Sequence, residues 1–141
     1  MEREQSIIGD SSPRQLQEFY VQSMVGPLDS KVGRSGEPNL NLAPKKDFYT
    51  RWHCLHIDPA LRPEKFGSPV NPNERLVISH SATNRRLAVE NANWFRTLFG
   101  MECEVTLHTY LDVHKREMAE NIWMIVTQTC GESKEAVRCM Q

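Results

Sequence analysis

The chain is expected to be all-β, and three features of the stretch from Leu76 to Gln128 carry that expectation. β-Branched and aromatic residues are concentrated there, turn-forming residues interrupt them at short intervals, and apolar residues recur with period two. Leu76, Ile78 and His80 alternate with Val77 and Ser79, the pattern of a strand half-buried on one face. Ser81-Ala82-Thr83-Asn84 has turn chemistry, because short polar side chains bond back to the backbone and Asn tolerates positive φ. Arg86-Leu87-Ala88-Val89 resumes the extended pattern, so Leu76 to Val89 reads as a hairpin. Val105, Leu107 and Thr109 share one face of a third strand, with Glu104, Thr106 and His108 on the other. Ile122 to Val126 is apolar on both faces, which predicts a central fourth strand.

The flanking segments read differently. Ser12-Pro13-Arg14-Gln15 has the elements of a helix start, and Leu16, Phe19, Tyr20 and Met24 follow as one apolar stripe until Gly26-Pro27. A helix of about three turns does not persist alone in water, so the stripe packs on its own β-block or anchors against a neighbouring protein. From Leu28 to Lys46 the residues are mostly Ser, Gly, Pro, Asn and Lys, the composition of an irregular, extended arm. Bulk returns with Phe48, Tyr49, Trp52, Leu55 and Ile57, a short strand over about 47–57. Pro59, Pro63, Pro69 and Pro72 argue against regular structure in the loop that follows. Asn91 to Gly100 has the makings of two helical turns ended by Gly100, and Lys115 to Asn121 reads as a solvated loop. The resulting division is an N-terminal tail, helix and arm over 1–46, a β-rich domain over 47–129, and a polar C-terminal tail over 130–141.

At 141 residues the chain has room for one domain with its own core. A net charge of −1 argues against a nucleic-acid binder, which needs a basic surface to neutralise phosphates. No apolar run approaches the roughly 20 residues of a transmembrane helix. The opening MEREQSIIGDSSPR is polar where a secretory signal is apolar, so an intracellular protein with no membrane partner is expected. Four cysteines, Cys54, Cys103, Cys130 and Cys139, are irregularly spaced and expected to be free thiols, with Cys103 and Cys54 buried as small hydrophobes.

Chemistry-bearing motifs are sparse. His53-Cys54-Leu55-His56 is the most metal-like cluster, but in a strand His53 and His56 point to opposite faces and cannot share one ion. Cys103 lies between Glu102 and Glu104, whose charges oppose thiolate formation. There is no nucleophile elbow, phosphate-binding loop or dinucleotide fingerprint. Neither a catalytic residue nor a cofactor is expected. Trp94, Tyr110 and Trp123 are expected in or at the core.

Several of these pieces also carry a resemblance. ISHSATNRRLAVE, FGMECEVTLHTYLD and NIWMIVT resemble the C-terminal half of the cilia- and flagella-associated protein 161 family, over about residues 50–129. The matching positions are His80, Thr83-Asn84, Leu87-Ala88, Phe99-Gly100, Glu104-Val105, His108 to Asp112, and Trp123. The resemblance implies a β-trefoil-like block of the MIR type. It also implies a microtubule inner protein of axonemal doublets, whose partners are tubulin and other inner proteins. Strand, turn, strand, then strand, loop and Trp strand could form one trefoil lobe; three lobes close a trefoil, so the block is incomplete if this lobe stands alone. On this reading Arg85 and Arg86, with Lys115 and Arg116, face an acidic surface such as tubulin, because paired guanidiniums suit carboxylates. The bland alternative leaves those arginines solvated around a turn. Phe19 and Tyr20 would be the apolar anchor. The competing function is a free-standing trefoil-type module holding a peptide or glycan in a Trp- or Tyr-lined pocket.

Overall fold

The computed structural model describes residues 17–24 and 32–127. Its strands run β1 (Tyr20–Gln22), β2 (Asn41–Ala43), β3 (Trp52–His56), β4 (Arg75–His80), β5 (Leu87–Thr97), β6 (Gly100–Leu107) and β7 (Ile122–Met124). One short helix, α1 (Arg62–Lys65), lies between β3 and β4. The fold is mostly β, as the sequence patterning predicts. Its strands form three small antiparallel groups: β1–β2, β3–β4–β7 and β5–β6.

Non-local pairing overrode several local expectations. Tyr20–Gln22, inside the expected helix, is a strand paired with Asn41–Ala43. Main-chain bonding to a partner about 20 positions away replaces the internal bonds of a helix too short to persist. Its stripe is not buried, since Phe19 and Met24 are exposed while Gln22 and Ser23 are covered. Residues 12–16 of that expected helix lie outside the described residues, as do Cys130, Cys139 and the C-terminal tail. Asn91–Thr97 is also a strand rather than two helical turns. β5 continues through an irregularity between Glu90 and Trp94 and pairs to Thr97↔Gly100. Gly100 has φ +121°, so it closes a hairpin instead of capping a helix.

The expected 76–89 hairpin exists only at its turn. Asn84 takes φ 54°, and Asn84 N donates to His80 O at 2.8 Å, but a single bridge, Ser79↔Arg86, joins the two arms. β4 instead lies between β3 and β7, whereas β5 pairs with β6. This makes β4 the central strand and β7 an edge, reversing the expectation for Ile122–Val126. The expected strand is apolar on both sides, yet pairing ends at Met124, and Met124, Ile125 and Val126 are exposed. The proline-rich loop also contains more structure than expected: Pro59–Leu61 forms a 3-10 turn, and Pro63 sits in the first turn of α1, where its missing N–H has no helical partner to lose.

Described residues of the expected arm are held against the block. Leu107 N donates to Pro38 O at 3.1 Å, and Asn39 bridges Thr106. Ser35 N donates to Glu104 Oε2 at 3.1 Å. Gly33 makes this approach possible, because a Cβ there would lie 1.6 Å from Glu104 Oε1. Gly33→Ala is therefore expected to displace the carboxylate and lower stability by about 1 kcal/mol, the scale of one lost hydrogen bond, readable by denaturant titration.

Candidate functional site

The interior is unusually polar. Among the described residues the buried apolar side chains are Ala43, Leu76, Val77, Ala88 and Leu107, whereas Ser79, His80, Glu90, Glu104, Thr106 and Asn121 are equally enclosed. Buried polar groups are tolerable only when bonded, and here they form connected sets. Asn121, fully buried at the end of a 3-10 turn, is one hub. Its Nδ2 donates to Leu87 O at 3.0 Å and His108 O at 2.7 Å, while its Oδ1 accepts from Tyr110 N at 2.7 Å. Trp123 Nε1 also donates to Leu87 O, at 3.0 Å. The charged 115–121 segment thus delivers a core residue and is not a simple solvated connection.

Glu90 is the second hub. Its carboxylate accepts from Thr106 Oγ1 at 2.7 Å, Tyr110 OH at 2.5 Å and His108 Nδ1 at 3.1 Å. Burial pushes the carboxyl up, but the bonds from Tyr110, Thr106 and His108 outweigh it and hold Glu90 below its ordinary range. The same Glu90 bond, with burial, pushes Tyr110 up to about 12. These shifts set opposite pH limits. A depressed Glu90 contributes stability above its unfolded value of 4.5, and this is lost as pH falls through the lower folded value. A raised Tyr110 contributes below pH 10, and that stability disappears as pH climbs from 10 towards 12. Thermal melts should therefore show a plateau with an acidic and an alkaline fall, the first blunted by Glu90→Gln and the second by Tyr110→Phe.

A further buried side chain organises the basic residues. Glu117 accepts from Arg62 Nη2 at 2.9 Å and from Arg86 Nε at 3.1 Å. Burial raises Glu117, but the hydrogen bonds, led by that from Arg62, lower it overall. Arg86 also donates to Ser79 Oγ at 2.7 Å and Asn84 O at 2.8 Å. Its guanidinium is thereby joined to the loop carrying Lys115 and Arg116, both exposed. Arg85 turns elsewhere, pairing with Glu37 Oε2 at 3.0 Å. Phe19 and Tyr20 lie on or beside β1, where Tyr20 OH donates to Glu18 and Lys46 lies over its ring. Glu117 thus brings Arg86 to the loop of Lys115 and Arg116, Arg85 pairs with Glu37, and Phe19 and Tyr20 sit at β1; the Arg86 fork is engaged within the chain. The sequence reading missed the hubs Glu90, Glu117 and Asn121, because an isolated polar residue gives no sign that its partners converge on it.

Other candidates are also placed. His53 Nδ1 is near Ser81 Oγ, whereas His56 Nδ1 accepts from Asp58 N. No group of three or more His, Cys, Asp or Glu suited to a metal occurs among the described residues. Cys54 is exposed and Cys103 half-buried, so neither is the buried hydrophobe expected. Trp94 is 53% exposed, outside the core. The cleft between β3 and the loop before β4 is lined by Cys54, Leu55, His56, Val70, Glu74 and Arg75. Trp94, Tyr110 and Trp123 do not line it. No described helix is long and apolar enough to cross a membrane.

These features define a small β protein with a bonded polar interior and large apolar residues left on its surface. The chain belongs to the cilia- and flagella-associated protein 161-like domain family, whose model matches residues 11–128. It is similar to the mouse cilia- and flagella-associated protein 161, with 46% identity over 94 residues, 67% of this chain and 31% of that protein. The bovine protein is 40% identical over 109 residues, 77% of the chain and 34% of the relative. The zebrafish protein is 41% identical over 124 residues, 88% and 41% respectively. The match thus spans about a third of the length of these relatives.

Proposed function

We propose that the chain is a structural microtubule inner protein of ciliary and flagellar axonemes, bound inside the A-tubule to tubulin and neighbouring inner proteins. Family membership carries this reading, since the named relatives are cilia- and flagella-associated proteins. Its surface supports the reading physically. The core contains few large apolar side chains, whereas Phe66, Leu98, Phe99 and Val113 are strongly exposed. Such a balance suits a protein whose apolar surface is completed by neighbours, and repetition along a lattice adds avidity. In this role the fold supports doublet stability without catalysing a reaction.

The topology also supports the trefoil-like reading. From β4 to β7, the first and fourth strands pair, and the second and third form the hairpin between them. That is the arrangement of one trefoil lobe. Expression of the tagged chain in ciliated cells tests the functional proposal: it should follow the axoneme and stay with the doublets after high-salt washing. A diffuse cytoplasmic signal, or full release by salt, would overturn it.

A further inference from the structure

The β5–β6 hairpin continues to an exposed tip. Past its irregularity, Trp94 opposes Cys103, Phe95 opposes Glu102, Arg96 opposes Met101 and Thr97 opposes Gly100. Opposed residues share a face and successive pairs alternate, so Trp94, Arg96 and Met101 lie on one side, with Phe95 and Glu102 on the other. The second side is partly covered, with the Arg34 guanidinium 5.7 Å from the Phe95 ring centroid. The first is open: Trp94 is 53% and Met101 62% exposed. At the tip, Leu98 is 100% and Phe99 93% exposed.

The tip has a defined shape. Thr97 Oγ1 accepts from Phe99 N at 3.0 Å and donates to Gly100 O at 3.4 Å. Apolar side chains held on a preformed turn lose little freedom when they are buried by another surface. The same open side carries one cation, Arg96, and no carboxylate from β5 or β6.

We propose that this hairpin is a docking element that inserts Leu98 and Phe99 into an apolar pocket of a neighbouring axonemal protein, with carboxylates at its rim facing Arg96. The proposal rests on the inner-protein reading and deepens it. Charge chooses the occupant. A second copy meeting this side with its own would bring another Arg96 and no carboxylate from β5 or β6 to pair with either. An anionic membrane is held by clusters of basic residues, and here there is one, on a chain of net charge −1. An acidic-rimmed protein pocket matches both the apolar tip and the single cation.

The test compares the wild-type full chain with Leu98→Ser/Phe99→Ser and with Arg96→Glu, all tagged and expressed in ciliated cells. The substituted side chains are exposed, so unchanged thermal midpoints should confirm that both variants fold. The fraction retained in axonemes after high-salt washing should fall about tenfold for the double variant, as expected for loss of an interface anchor. Arg96→Glu should also reduce retention, which provides a second test should the double variant misfold. Retention of both variants at the wild-type level would overturn the docking proposal and leave the inner-protein reading standing; failure of the wild type to remain would overturn both. Two further results would assign the tip elsewhere and overturn the protein-pocket proposal. One is wild-type flotation with phosphatidylcholine–phosphatidylserine vesicles that the double variant loses. The other is a wild-type dimer in sedimentation that the double variant dissociates.

Discussion

Asn121→Ala is expected to destabilise the protein by about 3 kcal/mol, because it leaves several buried groups without partners at once. Tyr110 N would lose its acceptor, and His108 O its Asn121 donor; Leu87 O would keep only Trp123 Nε1. Asn121 joins the end of β6, the start of β5 and the entry to β7, so local loosening should spread to all three. Asn121→Asp gives a sharper diagnostic. It keeps the size but turns a donor amide into a carboxylate facing two carbonyls, and should be as damaging at neutral pH while partly recovering on acidification. Urea titration reads both effects. A loss below about 1 kcal/mol for Asn121→Ala would show that the hub is not holding the strands.

Glu117→Ala is expected to have a similar effect, about 3 kcal/mol, for a different reason. Removing one partner of a buried ion pair leaves the other charge uncompensated. The Glu117 side chain is only 5% exposed and serves Arg62 and Arg86, whose own side chains are 19% and 13% exposed. Its loss would unpair two guanidiniums in one place. Replacing Glu117 and Arg86 together with apolar residues of similar size should recover much of the stability, since the remaining Arg62 still donates to His56 O. Chemical denaturation of the single and paired variants checks this, and equal losses would contradict the buried-charge account.

The sequence made the short extended segments legible but not their partners. The extended stretch from Leu76 to His80, the positive φ of Asn84 and the Trp52–His56 strand all follow from local pattern and turn chemistry. The expected one-sided burial of Leu76–His80 does not hold, since Val77 and Ser79 are as enclosed as Leu76 and His80 in this strand flanked on both edges. Pairing is non-local. Nothing within Arg75–His80 indicates that its partners are β3 and β7 rather than the strand just beyond the turn. Trp94 and Phe95 fit a helical turn as well as a hairpin until β6 supplies the main-chain bonds. Polar burial was hidden for the same reason: Glu90, Thr106 and Asn121 are polar by type, Asn121 falls in a segment that reads as solvated, and only their convergence makes an enclosed position stable. The basic residues show the converse. Their carboxylate affinity was legible, but the nearness of Glu117 to Arg86 depends on how two distant loops meet.

Electron cryotomography of doublet microtubules, comparing cilia with and without a compact density label on this chain, tests the central claim most directly. The account predicts additional density at regular intervals inside the A-tubule lumen, touching the tubulin wall and adjacent inner proteins. Label density confined to the outer doublet surface or to the space between doublets would contradict it.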